Sequence, residues 1–419
     1  MNTASRLFMD VSYTQTQSGN VGITRTVRRL LEALQPAGCV PVVFHRSGYR
    51  QLSAERRRSA AQPEAADGSS AARLFRGLHT GAARRMASRL PPAVLRSAWA
   101  VTNGLTFNAL GARESATPFQ PGDCLVLADE SWNYPAWAAA EIARRQGASV
   151  VLVLYDLIPL RFPEFCAALF TDVFRRWLAR MLACTDAVVC ISAATEADLV
   201  RWCEEQKLPL PRTAHFRLGS DLPRGGAGTV RADVAAFMAP ENPFFAAIGT
   251  IEPRKNHELL LVAFEQLWRE GSMVRLVIAG RPHPQCHALG ERLKSHPQRS
   301  KLLLTLFDAS DAEVALAYSN CRALVFPSLA EGFGLPLVEA RTRGCPVIAS
   351  DLPSFVELAD QGVFIYQRDS MQSLEALVLL HAARDHRPEV GSMPPFTWRD
   401  SALQFLQVSR ELLAQRPGA

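Results

Sequence analysis

The sequence predicts an α/β protein of two parallel-sheet domains facing across a cleft, with a C-terminal helix. Three observations predict it. The chain has 419 residues, long for a single core. Short apolar strands alternate with segments of helical periodicity along most of it, the pattern of parallel sheets with right-handed crossovers. That alternation halts at the linker-like run Pro223-Arg-Gly-Gly-Ala-Gly228 and then restarts. The expected domains are residues 1–225, with a basic insertion at about 46–120, and residues 240–395, followed by the helix in 396–419.

In the first half, Leu7-Phe-Met-Asp-Val11 reads as a strand, and a loop through Gly19 and Gly22 leads to a helix over about 23–34. Val40–Phe44 is the next strand. After the insertion come the strand Cys124–Ala128, a helix over 135–146, and the strand Ser149–Tyr155. A helix over about 170–183, the strand Ala187–Ile191 and a helix from Ala193 to Cys203 follow, the last with Ser192 as its N-cap. In the second half, strands are expected at 244–248, 274–279, 302–307, 322–326 and 347–349. Helices are expected at 257–269, 312–318 and 335–343, and an amphipathic helix at 398–413.

Composition narrows the function classes. The longest apolar run, Val150–Tyr155, is far too short to span a bilayer, and Met1–Arg6 does not read as a secretory signal. Nine scattered cysteines without a Cys-x-x-Cys pair fit a reducing, cytoplasmic setting. His283, Cys286 and His287 cluster, but Pro282 and Pro284 punctuate them and no fourth ligand is evident, so a loop is the better reading. The net charge of +6 is mild, yet arginines crowd residues 46–113. That bias attracts anionic surfaces. Base-stacking aromatics are not interleaved with the arginines, so nucleic acid is not an expected partner. Ala71–Leu90 can form a helix, read as a lid or surface helix in preference to a membrane-surface one.

The most informative stretch is Pro327-Ser-Leu-Ala-Glu331-Gly-Phe-Gly-Leu-Pro-Leu-Val-Glu339. It follows an apolar strand and enters a helix with Pro336 in its first turn, where a missing N–H costs little. Gly332 and Gly334 let the backbone approach a ligand, and the helix start offers N–H groups to an anion. Glu331 sits at the strand's carboxyl end and Glu339 about two turns along the helix. A second loop, Gly249-Thr-Ile-Glu-Pro-Arg254-Lys255-Asn256-His257, places two cations at another strand's carboxyl end. Together these suit a ligand with an anionic middle and hydroxyls at both ends. The plainer alternatives are a capped helix with a solvated Glu and a basic surface turn.

These two motifs, with Ile278-Ala-Gly, Tyr155-Asp156-Leu-Ile-Pro, Asp186–Ser192 and the opening Asp10-Val-Ser…Gly22-Ile-Thr-Arg25, resemble the retaining nucleotide-sugar glycosyltransferases of family 4. The resemblance covers most of the chain outside about 46–120. It implies the GT-B architecture of two Rossmann-like domains, and many members are bacterial mannosyltransferases of polysaccharide assembly.

Carried over, it implies that Lys255 and Arg254 neutralise the donor diphosphate. Glu331 binds donor-sugar hydroxyls, while Gly332, Phe333, Gly334 and Leu335 line the sugar and phosphates. Glu339 holds the ribose, and the backbone around Phe307 and Asp308 meets the base. Gly19 and Gly22 form a loop facing the diphosphate, and Arg25 approaches the acceptor side. The family often has His where Tyr155 stands, and commonly Arg where Thr250 stands. The implied reaction is retaining hexose transfer, with mannose from GDP-mannose as the expected donor and a lipid-linked saccharide as acceptor. It needs no metal or other cofactor, and takes place at the inner face of the cytoplasmic membrane. A non-catalytic partner in a glycan-assembly complex and a nucleotide-sugar epimerase share the architecture.

Overall fold

The computed structural model describes residues 6–17, 22–46, 48–52, 115–221, 228–383 and 387–414. Gly19, most of the expected linker, and the basic helix expected over 71–90 lie outside the described residues. The chain forms two compact units, one of residues 1–218 with 398–419 and one of residues 219–397.

The first unit is an eight-stranded sheet in the order β4-β3-β2-β1-β5-β6-β7-β8. Its strands are β1 (Leu7–Asp10), β2 (Cys39–His45), β3 (Gly48–Gln51), β4 (Ser115–Ala116), β5 (Cys124–Leu127), β6 (Ser149–Leu154), β7 (Ala187–Cys190) and β8 (Arg212–His215). All pair in parallel except β3 and β4, which add an antiparallel edge that the sequence pattern did not announce. Their helices are α1 (Gly22–Leu34), α2 (Ala136–Arg145), α3 (Ile158–Arg161), α4 (Ala168–Cys184) and α5 (Ala193–Gln206). Val151 and Leu152, pointing to opposite faces, are both buried, as a sheet covered on two sides requires. Ser192 caps α5 as expected, accepting from the Thr195 N–H at 3.0 Å.

The C-terminal helix, Trp398–Ala414, belongs to this first unit. Phe405 meets Phe216 with ring centroids 5.3 Å apart, and Arg212 donates to the Leu412 carbonyl at 2.9 Å. The chain therefore returns to its first sheet after completing the second.

The second unit is a six-stranded, wholly parallel sheet in the order β11-β10-β9-β12-β13-β14. In chain order it runs α6 (Ala232–Phe237), β9 (Phe244–Ile248), α7 (His257–Arg269), β10 (Arg275–Ala279), α8 (His287–Lys294), β11 (Leu303–Leu306) and α9 (Asp311–Asn320). It continues with β12 (Leu324–Phe326), α10 (Leu335–Thr342), β13 (Val347–Ser350), α11 (Pro353–Glu357), β14 (Val363–Tyr366) and α12 (Met371–Ala382). Strands β9 and β12 are neighbours although two βα units separate them in sequence. That reversal of strand order makes a crevice at their carboxyl ends, where open α/β sheets bind ligands.

The segment after Gly280 is more ordered than the loop expected there. His283 accepts from the Gln285 N–H at 3.3 Å and caps a short turn over Pro284–Cys286, from which α8 starts. Proline is tolerated because it occupies the first position of that turn.

Candidate nucleotide-sugar site

The loops after β9 and β12 meet at the switch point of the second sheet. After β9 the chain makes the turn Pro253–Lys255, and Asn256 then takes a left-handed conformation (φ 53°) before α7 begins. Asn tolerates that region better than most residues. Gly249 and Gly280, closing the adjacent strands β9 and β10, come so close that a Cβ on Gly280 would lie 1.8 Å from the Gly249 carbonyl. Only glycine fits there.

The β12 loop is pinned from three directions. The Leu329 N–H donates to the Arg254 carbonyl at 2.7 Å, Ser354 donates to the Glu331 carbonyl at 3.0 Å, and Ser350 donates to the Ser328 carbonyl at 2.5 Å. Gly334 closes the loop at φ 110°, with the Phe355 ring only 2.7 Å from where a Cβ would stand.

This frame brings Arg254, Lys255 and Glu331 into one ion-pair network. Arg254 Nη1 lies 2.8 Å from Glu331 Oε2 and donates to the Ala330 carbonyl at 3.0 Å, while its Nη2 lies 2.7 Å from Glu252 Oε1. Lys255 Nζ pairs with Glu331 Oε1, which also accepts from Ser328 Oγ at 3.0 Å. The same ammonium stands 4.7 Å from the centroid of Phe326. Burial alone would raise the Glu331 pKa, but Arg254 and Lys255 outweigh it and bring it down to about 2. Lys255 is held below the usual lysine range by burial and by Arg254, against the pull of Glu331. His257, at the head of α7, is driven to about 3 by burial and Lys255, so it is neutral.

Glu339 is buried on α10 and accepts from the Tyr318 hydroxyl at 3.0 Å. Gly332, Phe333 and Gly334 are buried in the loop and Leu335 opens the helix. Phe307 is half-buried after β11, with the Lys294 ammonium 5.8 Å from its ring, and Asp308 is exposed and pairs with Arg231 at 3.0 Å. Thr250 is exposed.

The first sheet has its own switch point between β1 and β5, and buried acids gather there. Asp10 ends β1 and accepts from Ser12 Oγ at 2.6 Å, from the Tyr49 hydroxyl at 3.2 Å and from the Tyr134 hydroxyl. Asp129, just after β5, accepts from Thr14 N–H at 2.8 Å and Thr14 Oγ1 at 2.9 Å. Burial and the neighbouring Asp10 push Asp129 up to about 7. Burial and Asp129 push Glu130 up to about 8. Buried Arg28 donates to the Thr14 and Gln17 carbonyls at 3.2 and 2.5 Å, fixing the chain just before the glycine loop. Gly22 opens α1 at φ 55°, and Arg25 is half-buried on that helix. Tyr155, where the family often has His, turns its hydroxyl onto the Ala128 carbonyl at 2.7 Å. Sequence reasoning missed Arg28, Ser328 and Tyr318, whose partners are remote in sequence or too common in type to signal a role.

Residues 234–384 match the family model described as glycosyl transferases group 1. The chain is 36% identical over 311 residues to the serotype-specific mannosyltransferase WbdA of Escherichia coli, an alignment covering 71% of this chain and 38% of that protein. It is 28% identical over 172 residues to the O-antigen chain mannosyltransferase B of Escherichia coli, covering 39% of this chain and 45% of that protein. The chain thus spans less than half the length of these relatives. Among solved structures, sucrose-phosphate synthase of Thermosynechococcus elongatus superposes with a TM-score of 0.65 at 19% identity, covering 98% of this chain and 100% of that one. The catalytic domain of starch synthase IV from Arabidopsis thaliana gives 0.61 at 12% identity, covering 99% and 100%. At those identities the structural likeness speaks for the fold alone. Residues 234–384 therefore form a domain of the glycosyl transferases group 1 family, within a chain whose two α/β sheets have the GT-B fold.

Proposed function

We propose that this chain is a retaining hexosyltransferase that moves mannose from GDP-mannose onto a lipid-linked or polysaccharide acceptor in cell-surface glycan synthesis. The observation that carries the reading is Glu331 held by Lys255 and Arg254 at the switch point of the second sheet. The mannose assignment draws on the relatives, which are named as mannosyltransferases of serotype and O-antigen.

In this reading Lys255 takes up the donor diphosphate, and the anionic ligand restores the proton affinity that burial removes from its ammonium. Arg254, already tied to Glu252, Ala330 and Glu331, adds positive field and holds Glu331 in place for the sugar hydroxyls. The buried turn of Gly332, Phe333 and Gly334, with Leu335 at the helix start, lines the sugar and phosphates. Glu339 binds the ribose and the backbone near Phe307 meets the base. The leaving diphosphate oxygen accepts the acceptor's proton on the same face of the sugar, so rate depends on charge stabilisation and positioning. With a lysine and a helix start supplying that stabilisation, the reaction proceeds without a divalent metal or other cofactor. No helix among the described residues is long and apolar enough to cross a membrane. A peripheral position at the inner membrane face, with the lipid-linked acceptor, completes the proposal.

The test is transfer from GDP-mannose and a panel of other nucleotide sugars to a mannosylated lipid-linked acceptor, in chelator, with the new linkage read by NMR. An α-linked product from an α-linked donor is expected. Donor isomerised without acceptor would mean an epimerase, and no turnover of any donor would mean a non-catalytic partner.

A further inference from the structure

Tyr318 is fully buried on α9, and its hydroxyl reaches 3.0 Å to Glu339 Oε2 on α10. Both ends of that contact are held independently. The Tyr318 carbonyl accepts from Arg387 Nη1 at 3.1 Å, and the neighbouring Asn320 donates to the Met238 carbonyl at 2.9 Å. The Arg343 guanidinium stands 5.7 Å from the Tyr318 ring centroid. On the other side, the Glu339 carbonyl accepts from Thr342 Oγ1 at 2.9 Å. A phenylalanine would fill this core position equally well, so packing does not account for the hydroxyl, and a buried phenol is costly unless paired.

A carboxylate recognises a ribose diol through two acceptors of fixed spacing, so the plane of the carboxylate matters. The terminal torsion of a glutamate is broad when nothing fixes it. A donor on one oxygen fixes that plane and keeps the group an acceptor. We propose that Tyr318 is a positioning residue that orients Glu339 toward the ribose hydroxyls of the nucleotide and thereby makes the site selective for ribonucleotides. This rests on the assignment of Glu339 to the ribose made above.

The experiment compares GDP, UDP and ADP, each with its 2′,3′-dideoxy counterpart, by calorimetry on the wild-type chain and Tyr318→Phe. The wild type is expected to prefer the ribonucleotide. In Tyr318→Phe that preference shrinks by about fivefold, the worth of one modest hydrogen bond, while dideoxynucleotide binding stays unchanged. A loss of packing would instead weaken both ligands alike. A wild type that discriminates beside a Tyr318→Phe that discriminates equally overturns the inference while leaving the ribose assignment standing. A wild type that does not discriminate overturns the assignment and the inference with it. As a second probe, 3-fluorotyrosine at position 318 keeps the ring and strengthens the donor. It should sharpen the preference, and an unchanged preference again overturns the proposal.

Discussion

The guanidinium of Arg254 stands 2.8 Å from the carboxylate of Glu331, joining the loops that leave two adjacent strands of the second sheet. Lys255 shares the same carboxylate, so one anion contacts both cations, and Arg254 has Glu252 as a second partner. Glu331→Ala would take from Lys255 its carboxylate partner while Arg254 keeps Glu252, and breaking such a buried pair costs about 3–5 kcal/mol. Urea denaturation should show that loss, with Glu331→Gln milder because it keeps the shape and one acceptor oxygen. The network also sets an acid limit. Glu331 is depressed from 4.5 to about 2, so its contribution is present above about pH 4.5 and is lost as pH falls toward 2. The Tm of Glu331→Gln should therefore fall less steeply across that window than that of the wild type.

Lys255→Ala removes the cation assigned to the leaving diphosphate. By comparison with losing one oxyanion donor, transition-state stabilisation should drop by about 3 kcal/mol, on the order of a hundredfold in kcat. Steady-state assays measure it directly. Near-wild-type turnover would remove Lys255 from the mechanism.

Gly334→Ala meets two obstacles, a backbone at φ 110° and the Phe355 ring 2.7 Å from the new methyl carbon. Backbone strain of that kind costs about 1–3 kcal/mol before any clash is counted. A Tm lower by several degrees is expected, with weaker nucleotide binding because the loop must shift. An unchanged Tm would mean that the loop relaxes freely.

Asp129→Asn tests the first sheet. With a folded pKa raised from 3.8 to about 7, Asp129 stabilises the fold most below pH 4 and loses that contribution as pH rises toward 7. Asparagine cannot titrate, yet it can still pair with Thr14. The variant's Tm should change less between pH 4 and 7, and an identical slope would show that Asp129 does not control it.

Much of the candidate site in the second unit was legible in the sequence because its signals are local. The glycines around Phe333, the prolines at 253 and 336 and the charges at 254, 255 and 331 sit in two short loops, each directly after an apolar strand. What escaped depends on tertiary contacts. Tyr318 lies 21 residues from its partner Glu339, on a different helix. Strands β3 and β4 are short, antiparallel and without a continuous apolar run, whereas β14 is the apolar run Val363–Tyr366, a signal the sequence does carry. The return of Trp398–Ala414 to the first unit is a long-range event that periodicity cannot encode. Arginine content singled out residues 46–113, yet buried Arg28, in an ordinary amphipathic helix, holds the loop chain.

The central claim is a nucleotide site at the β9–β12 switch point with Glu339 on the ribose. Thermal stabilisation by GDP, UDP, ADP and dTDP in chelator, with Glu339→Ala alongside, tests it most directly. A ligand at a hundred times its Kd adds about 2.7 kcal/mol, readable as several degrees. The account predicts that GDP gives the largest shift and that the shift collapses in Glu339→Ala. No shift from any of the four, or an equal shift in the variant, would contradict it.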